Sequence, residues 1–300
     1  MTLSSGSRGI GCMVLAAGTL VANDSCMKIV MADAPPLQVL FMRGVAASLW
    51  CLPLVLILGY GRKIPLVFNP WILLRCLCEV VAVTCFVLAL KQMPLGDITA
   101  IYQTAPLIVL AGAWLIWGER IGGLRMGLIG AGILGALLVA QPGATAASPY
   151  AAFGFATAIG SAARDLVSRK VPHSAPGLVV SFATVLTVML TSAIATAGFE
   201  IWVPPTINHL LLMALAGLLL MFGHFFIFLA FRLASPRTVA PFYYSFTVWA
   251  VGLGFAIFDE VPNGLAIAGI LLIVGAGLTV MLLDSRKRGT LPARAGVTIE

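Results

Sequence analysis

The stretch GIGCMVLAAGTLVANDSCMKIVM, residues 9–31, decides the class of this protein because it is apolar over the length of a membrane-spanning helix. A helix of about 20 apolar residues crosses a hydrocarbon core about 30 Å thick. Similar runs recur along almost the whole chain. The ten predicted spans are 9–31, 37–58, 70–91, 98–117, 121–140, 150–171, 177–197, 208–232, 238–258 and 263–283. We therefore predict an all-α polytopic membrane protein with ten transmembrane helices.

The composition argues against a soluble protein. The 300 residues are 60% hydrophobic and only 10% charged, whereas a soluble domain is about one quarter charged. The net charge of +7 fits topology signals better than binding of nucleic acid, which we do not expect as a partner. The six cysteines all lie in the first three spans without a CxxC pair, so we expect small apolar side chains and no metal or cofactor.

The cations predict the orientation, because short loops rich in Lys and Arg stay in the cytoplasm. With the N-terminus inside, thirteen cations lie on the cytoplasmic side, and only Lys28 and Lys91 lie on the other. The thirteen are Arg8, Arg62, Lys63, Arg120, Arg125, Arg169, Lys170, Arg232, Arg237, Arg286, Lys287, Arg288 and Arg294. We therefore predict a bacterial cytoplasmic (inner) membrane protein with both termini in the cytoplasm and an uncleaved first span.

A shift of 141 residues aligns the second half of the chain with the first. It places Asp165 on Asp24, Arg169 on Lys28 and Tyr243 on Tyr102, and four further positions match in the same register. Each half has an odd number of spans, so the second copy must be inverted, as in many secondary transporters. The predicted units are a cytoplasmic tail at 1–8, a first five-helix repeat at 9–140, a linker at 141–149, a second repeat at 150–283 and a basic tail at 284–300.

Several short motifs add a family resemblance that extends from Gly9 to about Leu283. GER closes the fourth span, DE closes the ninth, and the fifth and tenth spans are rich in glycine. The motifs are ND..MK at 23–28, PLQVLFMRG at 36–44, LGDITAIYQTAPL at 95–107, GER at 118–120 and DE at 259–260. The chain resembles the ten-helix EamA-type branch of the drug/metabolite transporter superfamily, and loosely its S-adenosylmethionine-uptake subgroup. The resemblance implies a transporter of small metabolites, although Val261 stands where the repeat would place a second arginine.

Charged residues inside spans are the first candidates for function, since each is costly in hydrocarbon. Asp24 and Lys28 lie one helical turn apart, and the repeat pairs them with Asp165 and Arg169 near the opposite face. Two interpretations stay open: local ion pairs that ease insertion, or reciprocal gates that bridge neighbouring helices. For the second, Arg43 is the expected partner of Asp24.

The third span carries a second pair of charges. Arg75 and Glu79 lie one turn apart, and Arg164 precedes Asp165 in the sixth span. Glu79 is the carboxylate farthest inside a span, which makes it a candidate for binding a coupling proton. A structural ion pair between Glu79 and Arg75 is the alternative.

Polar aromatic residues are candidates for the substrate cavity. Tyr102 and Gln103 in the fourth span align with Tyr243 and Tyr244 in the ninth. Aromatic faces with polar tips suit an amphipathic ligand, but tyrosine also anchors spans at the bilayer interface, and both interpretations stay open. Asn23, His224 and Trp249 are further candidates, with simple packing as the alternative for His224.

Proline and glycine indicate how the spans bend and pack. Pro106 and Pro241 remove backbone donors inside spans and predict kinks. Gly123, Gly127 and Gly135 form a small-residue stripe in the fifth span, which predicts close packing or a homodimer through the fifth and tenth spans.

The sequence favours a secondary transporter that works by alternating access, coupled to protons or to exchange. A membrane-embedded enzyme or a channel is the alternative. Motifs expected of an enzyme, such as HExxH, and the P-loop of an ATP-driven pump are missing from the sequence. The substrate and the direction of transport remain open.

Overall fold

The computed structural model describes residues 5–118, 122–141, 150–172 and 174–289, and within these residues it contains helices and no strands. The α-helices are α1 (Ser5–Val30), α2 (Pro36–Ile57), α3 (Pro70–Gln92), α4 (Leu95–Tyr102), α5 (Ala105–Trp117), α6 (Gly123–Ala140), α7 (Ala151–Ser168), α8 (Gly177–Phe199), α9 (Ile207–Leu233), α10 (Pro236–Val239), α11 (Ser245–Phe258) and α12 (Gly264–Gly289). Two 3-10 segments, Tyr60–Phe68 and Ala240–Tyr244, complete them. The predicted all-α polytopic class is confirmed.

Nine helical stretches in the described part of the chain are long and apolar enough to cross a membrane. The predicted span at 150–171 is not among them, although α7 has 18 residues. Arg164 and Asp165 lower its hydropathy. Because α7 packs against α3, α4 and α5, these charges are placed among protein neighbours.

Four helix pairs form the main packing contacts: α1 with α9, α3 with α7, α2 with α8, and α6 with α12. Glycine permits the closest approaches. A Cβ added at Gly135 of α6 would lie 2.8 Å from the carbonyl oxygen of Gly269 in α12, and one added at Gly160 of α7 would lie 3.2 Å from the backbone of Ala82. Small residues thus hold these helices together, as is common in membranes where lipid gives no hydrophobic drive between helices.

The helix boundaries recur 141 residues apart along the chain. α2 and α8 begin at Pro36 and Gly177, and α6 and α12 begin at Gly123 and Gly264. The left-handed backbone conformation recurs too: Gly118 after α5 has φ 65°, and the residue 141 positions later, Asp259 after α11, has φ 54°.

The fourth and ninth predicted spans are not continuous helices, and this corrects the prediction. The fourth span breaks between α4 and α5, and the ninth passes through the 3-10 segment Ala240–Tyr244. Pro106 in the first turn of α5 has no N–H to donate to the carbonyl of Tyr102, and Pro241 lies inside the 3-10 segment. The kinks expected at the two prolines are therefore complete interruptions.

Some predicted features differ in extent or lie outside the described residues. α1 begins at Ser5, inside the predicted tail, and α12 continues to Gly289, past the predicted end of the second repeat. Glu119 and Arg120 of the GER motif, His173, most of the linker at 142–149 and the tail after Gly289 lie outside the described residues.

Candidate functional site

Charged and polar side chains from both halves of the chain meet in one group, which we call the central cluster. Its members come from α1, α2, α3, α4, α7, α9 and the 3-10 segment before α11, and electrostatic interactions link them. They are Asp24, Arg43, Glu79, Tyr102, Arg164, Asp165, His224 and Tyr243. Six helices and one helix break thus converge on a polar centre in an otherwise apolar protein.

An ion pair between α3 and α7 lies in the central cluster. Arg164 Nη1 lies 2.7 Å from Glu79 Oε2, and Arg164 Nε lies 2.8 Å from Asp165 Oδ1. The predicted pair between Arg75 and Glu79 is therefore wrong. Arg75 instead donates hydrogen bonds to Ser168 Oγ at 3.0 Å and to Thr184 Oγ1 at 2.8 Å.

Asn23, Asp24 and Arg43 form the α1–α2 side of the cluster. Asn23 Nδ2 donates to Asp24 Oδ1 at 2.8 Å, and Asp24 and Arg43 attract each other electrostatically. Asn23 is 2% exposed and Arg43 is 8% exposed. The side chain of Arg43 thus brings its charge into a region nearly closed to solvent.

Lys28 does not pair with Asp24, which corrects the second predicted local pair. Its Nζ donates to the carboxylate of Glu260 and, at 2.6 Å, to the carbonyl of Met93. Glu260 also accepts a hydrogen bond of 2.7 Å from the backbone N–H of Leu95. We call this set the Lys28–Glu260 closure, because it ties α1 to the ends of α3 and α11 and to the start of α4.

The repeat partner of Lys28 occupies a related environment at the other end of the fold. Lys28 Nζ lies 5.1 Å from the ring centroid of Phe258, and the guanidinium of Arg169 lies 4.7 Å from that of Trp117. Both cations thus lie over an aromatic ring at the end of a helix, and the two pairs are 141 residues apart. The predicted Asp165–Arg169 pair is not what the structure places at Asp165, which contacts Arg164.

The four residues predicted from the fourth and ninth spans separate into two kinds. Tyr102 and Tyr243 interact with each other in the central cluster. Gln103 donates a hydrogen bond to Thr247 of α11, and Tyr244 is 3% exposed and turned towards α12, where a Cβ on Gly277 would overlap its hydroxyl. Gln103 and Tyr244 therefore join helices, and only the other two tyrosines lie in the cluster.

Trp249 and His224 also differ from each other. The indole N–H of Trp249 donates to the carbonyl of Val14 at 3.0 Å, and its ring covers Gly18, so Trp249 joins α11 to α1. His224 Nδ1 lies 2.8 Å from the carbonyl of Leu220, while its imidazole interacts with Glu79, Arg164 and Arg43 and remains accessible. Of these two candidates, His224 belongs to the central cluster.

Two polar residues that the sequence did not single out join α2 to the connector after α8. Glu200 accepts hydrogen bonds from the backbone N–H groups of Leu37, at 3.0 Å, and Gln38, at 2.9 Å. The Gln38 amide exchanges two hydrogen bonds with the backbone of Val203. The position of Glu200 directly before the VPP breaker is the only sequence signal that pointed to such a contact.

The described residues contain no group of three or more His, Cys, Asp or Glu side chains arranged to hold a metal ion. The six cysteines are free thiols. A cavity of about 350 Å³ lies between α5 and α7, and its lining is apolar and includes no member of the central cluster. The arrangement of the cluster suits binding by charge and hydrogen bonds.

The comparison with protein families gives the class of the chain. The model of the EamA-like transporter family matches residues 7–141. The first half of the chain belongs to the EamA-like transporter family. The resemblance inferred from the motifs is thereby confirmed.

Curated relatives of this EamA-like chain are named as transporters. The pseudopaline exporter CntI of Pseudomonas aeruginosa is 28% identical over 94% of this chain and 97% of its own length. The riboflavin transporter of Rhizobium johnstonii is 29% identical over 73% of this chain and 72% of its own length. The S-adenosylmethionine uptake transporter of Rickettsia bellii is 25% identical over 94% and 95%.

A solved crystal structure has the same fold. It aligns with a TM-score of 0.59 at 17% identity and covers 94% of this chain and 99% of that chain. At this identity the likeness concerns the fold alone.

Proposed function

We propose that this EamA-like protein is a secondary transporter that moves a small metabolite across the membrane by alternating access. The observation that carries the proposal is the central cluster, a polar centre built from both halves of the chain. Substrate sites of transporters with repeated halves lie near the middle of the membrane, where the halves meet and helices are interrupted. The interruptions after Tyr102 and at Tyr243 adjoin this cluster.

The two halves are, in this proposal, inverted copies that exchange roles as the transporter opens to each side. The 141-residue recurrence of helix starts and of the left-handed positions Gly118 and Asp259 supports a duplication. The paired contacts of Lys28 with Phe258 and Arg169 with Trp117 support equivalent ends.

The Lys28–Glu260 closure is the proposed gate on the periplasmic side, in place of the network of Asp24, Lys28 and Arg43 expected from the sequence. It joins elements of both halves, which must separate for a substrate to enter from that side. On the opposite side the Asp165 side chain is 48% exposed. These features support a state closed to the periplasm and open to the cytoplasm.

Reconstitution into proteoliposomes tests the function. We expect saturable uptake or counterflow of at least one of S-adenosylmethionine, riboflavin or an amino acid, and loss of this flux in Arg164→Gln. Flux that rises linearly with concentration and does not exchange would favour a channel. Failure to transport any member of such a panel in either direction would contradict the proposal.

Glu79 remains the proposed site for a coupling proton, although Arg164 holds its carboxylate in an ion pair. A proton could bind there only when the pair opens during the transport cycle. Uptake driven by an imposed pH gradient should vanish in Glu79→Gln while exchange persists. An unchanged response to the gradient in this variant would remove the coupling role.

The orientation and the homodimer are also proposals. The cation distribution supports both termini in the cytoplasm of a bacterial inner membrane. Gly123 and Gly127 have open space around them on α6, while Gly135 packs against α12 within the same chain. A second copy could therefore pack only on the outer part of this helix pair, which crosslinking of a cysteine placed at 127 would test.

A further inference from the structure

We propose that Asn23, Asp24 and Arg43 form a subsite for the carboxylate and ammonium groups of an α-amino-acid headgroup. This subsite rests on the proposed transport function and names the class of substrate. It lies on the α1–α2 side of the central cluster.

Two nearly fully buried side chains lack hydrogen-bond partners there. Arg43 is 8% exposed, and its Nε has no partner among the described residues. Asn23 is 2% exposed, and its Oδ1 also has none within that part of the chain. Buried polar atoms are nearly always paired, so unpaired ones at a functional site indicate groups that a ligand satisfies.

The missing partners are complementary in chemistry. Arg43 offers donors and needs an acceptor, and its planar guanidinium matches both oxygens of a carboxylate. Asn23 offers an acceptor and needs a donor. Because the Asn23 amide nitrogen donates to Asp24 at 2.8 Å, the amide oxygen is the atom left free, and the Asp24 carboxylate lies beside it. An ammonium group supplies the donors that these oxygens need.

Charge balance separates a zwitterion from a simple anion or cation. Asp24 and Arg43 are of opposite sign and interact with each other. A lone anion on Arg43 would compete with Asp24 and leave a buried net negative charge, and a lone cation on Asp24 would leave Arg43 uncompensated. A zwitterionic headgroup keeps the subsite neutral, which matters in a region nearly closed to solvent.

The rest of the substrate would extend towards the centre of the cluster. Arg43 also interacts with Glu79, which contacts Arg164 near Tyr102. The tyrosine rings there can cover a ring or a flat apolar body. The subsite would thus select the headgroup, and the tyrosines would select the remainder.

Binding to the purified full-length protein tests the inference. The probes are the twenty L-amino acids and S-adenosylmethionine, followed for each binder by analogues without one charged group. For L-methionine these are methioninamide and 4-(methylthio)butanoate, and for S-adenosylmethionine the truncated analogue is methylthioadenosine. We expect loss of either group to weaken binding about tenfold or more, as for a charged hydrogen-bonded pair.

Variants assign the effect to these residues. Arg43→Lys keeps the charge but loses the planar fork, so the preference for methionine over methioninamide should fall towards one. Arg75→Lys is the matched control, because Arg75 has hydrogen-bond partners in α7 and α8 and should keep the preference. If Arg43→Lys fails to fold, the analogue series with the unaltered protein still decides.

Three results would overturn the subsite. They are equal binding of intact and truncated probes, an unchanged preference in Arg43→Lys, or no binding by any amino-acid probe. Transport of riboflavin, which has no such headgroup, separates the two proposals: if that flux is present, the transport function stands even where the subsite fails.

Discussion

Arg164 shows how a single side chain organises the centre of this protein. Its guanidinium contacts Glu79 in α3 and Asp165 in its own helix, and it interacts with Tyr102 and Tyr243. Arginine suits this place because its planar group donates in several directions at once. The side chains of Arg164 and Glu79 are 18% and 24% exposed, so water screens their attraction only in part.

Removing one partner of this pair should cost more than removing both. Glu79→Gln leaves Arg164 with one carboxylate fewer, and we expect a loss of about 2 kcal/mol in unfolding free energy, typical of a charged hydrogen bond. Adding Arg164→Gln should recover part of it, since no uncompensated charge remains. Thermal unfolding in detergent across this double-mutant cycle measures the coupling. Strictly additive losses would mean that the two groups act independently.

At the scale of elements, the interruptions of the fourth and ninth spans are the main departure from ten simple helices. Pro53 lies inside α2 without breaking it, whereas Pro106 and Pro241 lie at breaks. A proline therefore does not by itself interrupt a span here. At the two breaks the chain also places residues of the central cluster or of the helix contacts next to them.

Restoring backbone donors at the breaks should slow transport. In Pro106→Ala and Pro241→Ala the new N–H favours a continuous helix, which would shift the adjacent tyrosines. We expect initial transport rates to fall severalfold with the melting temperature unchanged or raised. Pro53→Ala is the control and should leave the rate within a factor of about two. Equal effects of all three substitutions would indicate that the breaks have no special role.

The contact between α6 and α12 sets a second test at this scale. Gly269→Ala would place a Cβ 2.5 Å from the carbonyl oxygen of Gly135, so the two backbones must separate. We expect a destabilisation of about 1–3 kcal/mol, as for overpacked cores. Gly127→Ala meets nothing within 4 Å and should be neutral or slightly stabilising. Unfolding of both variants in the same detergent makes the comparison, and equal stabilities would contradict the close contact.

At the scale of the whole molecule, the Lys28–Glu260 closure joins residues 232 positions apart in the chain. It involves the first helix of one half and the end of α11 in the other. The access of solvent to one side of the transporter thus depends on a few contacts between elements that the repeat makes equivalent.

Breaking this closure should open the periplasmic side. In a protein whose only cysteine is Cys26, which is 7% exposed and one turn from Asp24 on α1, Lys28→Met should raise the rate of alkylation by a membrane-impermeant maleimide. Lys91→Met is the matched control, since Lys91 is exposed and makes only a long contact of 3.4 Å with Ala34. The double substitution Lys28→Glu with Glu260→Lys should bring the alkylation rate back down. Unaltered labelling in Lys28→Met would count against the gate.

The sequence by itself determined the membrane class, nearly all the spans, the 141-residue recurrence and the residues that deserved attention. Hydropathy and helix length depend on local composition, so they can be counted along the chain. Asp24, Glu79, Arg43 and Arg164 were found because a charge in an apolar run is costly wherever the run packs.

Only the tertiary structure decided which charge meets which. Lys28 and Asp24 share one face of a helix, as do Arg75 and Glu79, and proximity in sequence made each a natural pair. A one-turn pair on a helix is worth only a few tenths of a kcal/mol, so partners from other helices can easily prevail. Glu260 for Lys28 and Arg164 for Glu79 come from the other half of the chain, and their positions follow from how the two halves pack, which no local pattern contains.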